Sequence, residues 1–212
     1  MIKNIVFDFG DVFINLDKEA TNRAFKNAGI DGLPDYMVYQ CEKFEKGKCS
    51  TEEFLHRFVD RYFMELEGEG FKDKKEAFIK IWNSILLDFP IHKLVFLQEL
   101  AKSKKYRLFL LSNTNELHIS WIQNNWGLEL YNEFKKCFEQ FYLSHEIGFR
   151  KPNADIYEFV LKENNLKAEE TFFIDDTIEN TLAAEKLRIK TWNINPQKED
   201  VTTLLTKKEF NK

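Results

Sequence analysis

Asp8 closes the short apolar run Ile5–Phe7, and a carboxylate that ends a buried strand is a candidate nucleophile. Three more polar groups stand in a similar relation to apolar runs. Ser112-Asn113-Thr114-Asn115 follows Leu108–Leu111, and Asp175-Asp176 follows Thr171–Ile174. Lys151 precedes Pro152 in "GFRKPNADIY", where the proline suits the first turn of a helix. In an open parallel sheet, ligands bind beyond the carboxyl ends of the strands, so all four groups are expected at one mouth. The set suits phosphoryl transfer. Three carboxylates around a point cannot all ionise cheaply without a cation, and all-oxygen ligation favours Mg²⁺. A carboxylate can attack phosphorus, hydroxyl and amide groups can hold phosphate oxygens, and a lysine can neutralise the transferring group. Singly, such residues cap helices or sit in solvated turns. In order, each after its own strand, they are specific.

The elements that must position these residues are strands alternating with helices. Besides the three runs named, Lys190–Ile194 reads as a strand and Gln140–Leu143 as a weaker one. Between them, Ile91, Leu94 and Val95 share one helical face, as do Ile156, Phe159 and Val160. The fold class expected is α/β, a doubly wound parallel sheet with helices on both faces. The interval from Phe7 to Leu108 is far longer than a crossover needs. Within it, Ser50 and Glu53 form a capping-box signature ahead of the stripe Phe54, Leu55, Phe58 and Tyr62. Two more helices are expected near Pro34–Phe44 and Lys74–Leu87. Residues 16–88 therefore read as a helical insertion on a core made of residues 1–15 and 89–212.

Composition narrows the class. The 212 residues are 43% hydrophobic and carry a net charge of −4, enough for a real core and unfavourable for general nucleic-acid binding. The cluster Lys102–Lys105 reads as a solvated helix end, and the 21 phenylalanines sit at buried periodicities. No stretch approaches a membrane span, and the N-terminal run contains an acid, unlike a signal peptide. Cys41, Cys49 and Cys137 are odd in number and widely spaced, which fits a reducing cytoplasm. The expected partner is a small phosphorylated molecule rather than nucleic acid or membrane, with the chain a monomer or weak homodimer.

"FDFGDV", "LLSNTN", "GFRKP" and "FFIDDTIEN" resemble, in order, the four motifs of the haloacid dehalogenase superfamily, and the insertion resembles its helical cap. "LSNTNELHISW" and "YLSHEIGFRKPNADIY" look especially like the bacterial α-D-glucose-1-phosphate phosphatase branch. The resemblance implies a Mg²⁺-dependent phosphatase of small phosphate monoesters, such as glucose 1-phosphate. It implies Asp8 as nucleophile and metal ligand, and Gly10 as a backbone-carbonyl ligand. It further implies Ser112 and Asn113 as phosphoryl ligands and Lys151 as the group that steadies nucleophile and phosphate. Asp176 ligates the metal, and Asp175 does so directly or through water. "FEKGKCSTEEF" resembles the cap's specificity loop, which would set Glu45 and Gly47 against the substrate.

The departure is at Gly10, where most phosphatases of the superfamily carry an aspartate as general acid and base. Asp11 cannot simply replace it, because adjacent strand residues point to opposite faces. His56, Glu45, His118 or water are the alternatives. Three rival readings follow. A metal-free dehalogenase would not need the pair Asp175 and Asp176. A phosphorylatable receiver domain would be shorter and carry its acidic pair near the N-terminus. A binding protein without turnover would not need Asp8, Lys151 and Asp176 together.

Overall fold

In the computed structural model, residues 1–27, 29, 35–62 and 71–210 are described. Five strands, β1 (Asn4–Phe7), β2 (Arg107–Ser112), β3 (Gln140–Leu143), β4 (Thr171–Asp175) and β5 (Lys190–Asn193), form one parallel sheet in the order β3-β2-β1-β4-β5. Every one of the five apolar runs becomes a strand. β1 is central because it is short, continuous and buried on both faces, as a strand covered by helices must be.

Helices cover both faces. Ile5, Phe7, Leu108 and Leu110 pack on one side with Leu94, Leu97 and Phe134, while Val6, Phe109 and Leu111 pack on the other with Ile156, Tyr157 and Val160. The alternation along each strand therefore divides its residues between two apolar layers. In chain order the helices are α1 (Ala20–Asn27), α2 (Asp35–Glu45), α3 (Thr51–Tyr62), α4 (Phe71–Trp82), α5 (Ile91–Ser103), α6 (Glu116–Trp126), α7 (Leu128–Lys135), α8 (Ser144–Ile147), α9 (Ala154–Glu163) and α10 (Ile178–Lys186).

The four helices of the insertion have an apolar centre of their own, built from Phe25, Met37, Phe44, Phe54, Phe58, Phe78 and Trp82, with Leu117 contributed by α6. Phe44 stacks on Phe54 at 4.1 Å between ring centroids. The capping box forms as expected: Glu53 N donates to Ser50 Oγ (3.2 Å) and Ser50 N to Glu53 Oε2 (2.9 Å). The helix expected near Lys74–Leu87 instead ends at Trp82 and tightens into a 3₁₀ turn at Asn83–Ile85. The reason lies in the next residues. Leu86 forms an antiparallel bridge with Leu16, the Asn15 N–H donates to the Asp88 carbonyl and the Leu87 N–H donates to the Asn15 carbonyl, so the chain leaving the insertion is held extended against the chain entering it. Pro34, the expected start of the preceding helix, lies outside the described residues. No helix among those described is long and apolar enough to cross a membrane.

Candidate active site

Parallel strands point their carboxyl ends the same way, so β1, β2 and β4 deliver Asp8, Ser112 and Asp175 to one edge. Asp8 follows β1, and its N–H donates to the Ile174 carbonyl of β4 (2.8 Å). Lys151 reaches the same edge from the loop between α8 and α9. Its ammonium is 1% exposed and donates to Asp8 Oδ1 (2.6 Å), Asp175 Oδ2 (2.7 Å) and the Leu111 carbonyl (2.8 Å). All three of its N–H groups are thus satisfied inside the protein, the condition under which a buried ammonium is tolerated.

Asn113 secures that lysine from below. Its side-chain amide donates to the Lys151 carbonyl and accepts from the Lys151 N–H, both at 2.9 Å. The side chain expected on the phosphoryl group is therefore engaged with the loop that carries Lys151. Asn180 does the same for Asp175: its amide donates to both carboxylate oxygens at 3.0 Å, and the Thr177 N–H donates to Oδ1 at 2.8 Å.

The electrostatics follow from burial. Desolvation pushes the Asp8 carboxyl up to about 7; Lys151 pulls it down and Asp175 and Asp176 push it up. Burial also raises Asp176, although Lys18 opposes this. Burial disfavours the Lys151 ammonium, but Asp175 and Asp8 outweigh that and raise it. Asp8, Asp175 and Asp176 each offer an oxygen, and these oxygens lie within 4.8 Å of one another. Two ammoniums face these three carboxylates, Lys151 at Asp8 and Asp175 and Lys18 at Asp176, which leaves an all-oxygen donor set with surplus negative charge. That is the chemistry of a hard divalent cation site, and the residues fit Mg²⁺. The Gly10 carbonyl accepts from the Val12 N–H (2.7 Å), which leaves its second lone pair for a further ligand.

A cavity of about 380 Å³ opens over these groups, lined by Asp8, Gly10, Ser112 and Asn113 and also by Leu16, Lys18 and Arg150. The last three were not singled out from sequence. Lys18 pairs with Asp176 and lies 3.2 Å from Asp11 Oδ2. Leu16 explains the geometry at Gly10: a Cβ placed there would lie 2.6 Å from Leu16 Cδ1. The space that a side chain at position 10 would enter is occupied by leucine. Asp11 has a left-handed backbone (φ 55°), and its Oδ1 accepts from the Leu16 N–H at 3.0 Å. It holds the turn that brings Leu16 in.

The cap-loop residues have other neighbours. Glu45 accepts from Arg150 Nε at 2.5 Å. Gly47 is left-handed (φ 60°), and a Cβ on it would lie 2.1 Å from the His145 carbonyl oxygen, so the loop seats against α8 where only glycine fits. It lines a second cleft, of about 420 Å³, with Ser50, Glu116 and His145. The two histidines considered as proton donors do not line the mouth. His56 is exposed on α3 near Glu52 and Asp60. His118 stacks on Trp82 and faces Asn115 and the Trp82 carbonyl, and burial depresses it to about 4.

Comparison with known proteins places this geometry among relatives. The family model for haloacid dehalogenase-like hydrolases matches residues 5–194. D-ribitol-5-phosphate phosphatase of Bacteroides thetaiotaomicron is 31% identical over 199 residues, which span 91% of each chain. A solved magnesium complex of a HAD family enzyme from that bacterium superposes with a TM-score of 0.82 at 32% identity, covering 97% of this chain and 99% of the other. A wild-type complex with magnesium and inorganic phosphate gives 0.78 at 31% identity, covering 96% and 99%.

Proposed function

The chain belongs to the haloacid dehalogenase-like hydrolase family, and on that premise we propose that it is a magnesium-dependent phosphatase of small phosphate monoesters. The observation that carries the reading is the buried Lys151 ammonium shared between Asp8 and Asp175, with Asp176 beside them under an open cavity. Mg²⁺ would be held by Asp8, Asp175 and Asp176 with the Gly10 carbonyl, and when bound it keeps the carboxylates ionised and offsets repulsion between Asp8 and an anionic ester. The magnesium complexes of the 31–32% identical structures support the same assignment.

An Asp8 oxygen attacks phosphorus, the bond from phosphorus to the leaving oxygen breaks, and the alkoxide takes its proton from water. Water then attacks the aspartyl phosphate, releasing phosphate and restoring Asp8. Lys151 fixes the attacking carboxylate and balances charge on the transferring group. Ser112 and Asn113, which line the cavity beside Asp8, would bind the phosphoryl group. Asn113 also holds Lys151.

Sugar and polyol phosphates are the proposed substrates, glucose 1-phosphate among them, in keeping with the ribitol 5-phosphate of the 31% identical relative. Residues 16–88 form the cap, core residues 1–15 and 89–212 the catalytic body, and the paired linkers at 15–17 and 85–88 the hinge. The cysteines Cys41, Cys49 and Cys137 are free thiols, consistent with a cytoplasmic setting.

The test is phosphate release from a panel of phosphorylated metabolites with and without Mg²⁺, repeated with Asp8→Asn. Turnover that needs the cation and vanishes in the isosteric amide is the expected result. Near-normal turnover by Asp8→Asn overturns the mechanism. Full activity in excess chelator would revive the dehalogenase reading.

A further inference from the structure

Cap and core meet at the substrate mouth through Lys18, which pairs with Asp176, and through the Arg150 guanidinium. Arg150 immediately precedes Lys151, and its side chain lines the cavity beside Asp8, Ser112 and Asn113. Nε donates to Glu45 Oε2, at the end of α2 in the cap, at 2.5 Å. Nη1 donates to the Lys151 carbonyl at 3.3 Å and lies 3.9 Å from Glu42 Oε1, nearly one helical turn earlier on α2. Nη2 has no protein partner among the described residues. A guanidinium carries five N–H donors in a rigid fork, so this one is anchored on one edge and has donors to spare at a cavity built for a ligand.

The charge balance selects the kind of ligand. A phosphoryl group bound at Asp8 would have its charge balanced by Lys151 and by a cation held at Asp8, Asp175 and Asp176. Arg150 already faces two carboxylates, so its charge is largely neutralised, and an anionic group approaching its free edge would also meet Glu45 and Glu42. A neutral oxygen acceptor meets no such penalty and gains a charge-assisted hydrogen bond. We propose that Arg150 is a specificity-determining residue whose free N–H edge donates to a hydroxyl of the leaving group, with Glu45 acting as the positioning residue that aims it. Gly47, seated on the His145 carbonyl two residues beyond Glu45, keeps the loop in register for that pairing. The assignment rests on the phosphatase reading and adds to it the recognised feature of the substrate: hydroxyls beyond the ester oxygen.

The experiment compares ribitol 5-phosphate with phenyl phosphate, which has no hydroxyl, in wild type, Arg150→Gln and Glu45→Gln, with inhibition by inorganic phosphate measured alongside. Arg150→Gln should lose about 10- to 100-fold more kcat/KM on the polyol ester than on the aryl ester, chiefly in KM, the range of one charge-assisted hydrogen bond. Glu45→Gln should lose in the same direction by less. Equal losses on both esters together with weaker phosphate inhibition would overturn the proposal, because Arg150 would then serve the phosphoryl group. Unchanged selectivity in both variants would overturn it as well. If wild type hydrolyses neither ester with Mg²⁺, the phosphatase reading fails on its own account; calorimetric binding of the two esters then reads the same contrast at Arg150.

Discussion

Restoring a carboxylate at position 10 is a test that the structure makes quantitative. Alkyl phosphates expel a strongly basic alkoxide, and a positioned general acid is worth about 10²- to 10⁴-fold on such a step. Gly10 has no left-handed backbone demanding glycine, but a Cβ there would lie 2.6 Å from Leu16 Cδ1. Gly10→Asp alone must therefore push aside the end of a flexible, half-buried side chain, a small cost in stability that leaves the new carboxylate crowded. Gly10→Asp with Leu16→Ala removes the obstruction. The assay is kcat/KM for glucose 6-phosphate, a poor leaving group, against p-nitrophenyl phosphate, which departs with little need of a proton. The single variant should melt lower and gain little selectivity. The double variant should raise the alkyl-to-aryl ratio by at least about 10-fold, the low end of acid catalysis after imperfect placement. A folded, phosphate-binding double variant whose ratio equals that of wild type would refute the reasoning. The wild type should in turn prefer glucose 1-phosphate to glucose 6-phosphate, since the anomeric oxygen is the better leaving group.

Lys151→Met should destabilise the metal-free protein by about 3–5 kcal/mol, the cost of leaving buried carboxylates unpaired, as read by denaturant unfolding; a change below about 1 kcal/mol would contradict the burial of its ammonium. Asp176→Ala should abolish Mg²⁺-dependent turnover and weaken Mg²⁺ binding measured by calorimetry; unchanged affinity would remove Asp176 from the ligand set. His118→Phe tests the half-buried imidazole. Its folded value of about 4 lies below the ordinary 6.5, so its contribution is full above pH 6.5 and is lost as pH falls toward 4. The stability difference between wild type and His118→Phe should shrink by up to roughly 3 kcal/mol across that window, less for a ring that keeps some exposure, and a pH-independent difference would show that the imidazole charges freely in the folded state.

What was legible in the sequence was legible for local reasons. Five apolar runs of strand length between helical stripes dictate a parallel sheet, and the residue that ends each run lies at the carboxyl edge whatever the helices do. Asp8, Ser112 and Asp175 are placed by that rule alone. Ser50 and Glu53 announce the start of α3 because a capping box closes within a single turn.

The rest depended on groups far apart in the chain. The partner that Glu45 finds at the edge of the site is Arg150, 105 residues away. Asn113 lines the cavity, and its amide also holds the backbone of Lys151, 38 residues on. No pattern in the chain signals that Leu16 occupies the space beside Gly10, because the turn at Asp11 and the bridge to Leu86 bring it there. The sequence by itself determined the sheet and the acids at its edge, since periodicity and strand ends are properties of a few consecutive residues. Only the tertiary structure decided which donors remain free around those acids, since each hydrogen bond made inside the protein removes a partner that a substrate would otherwise find.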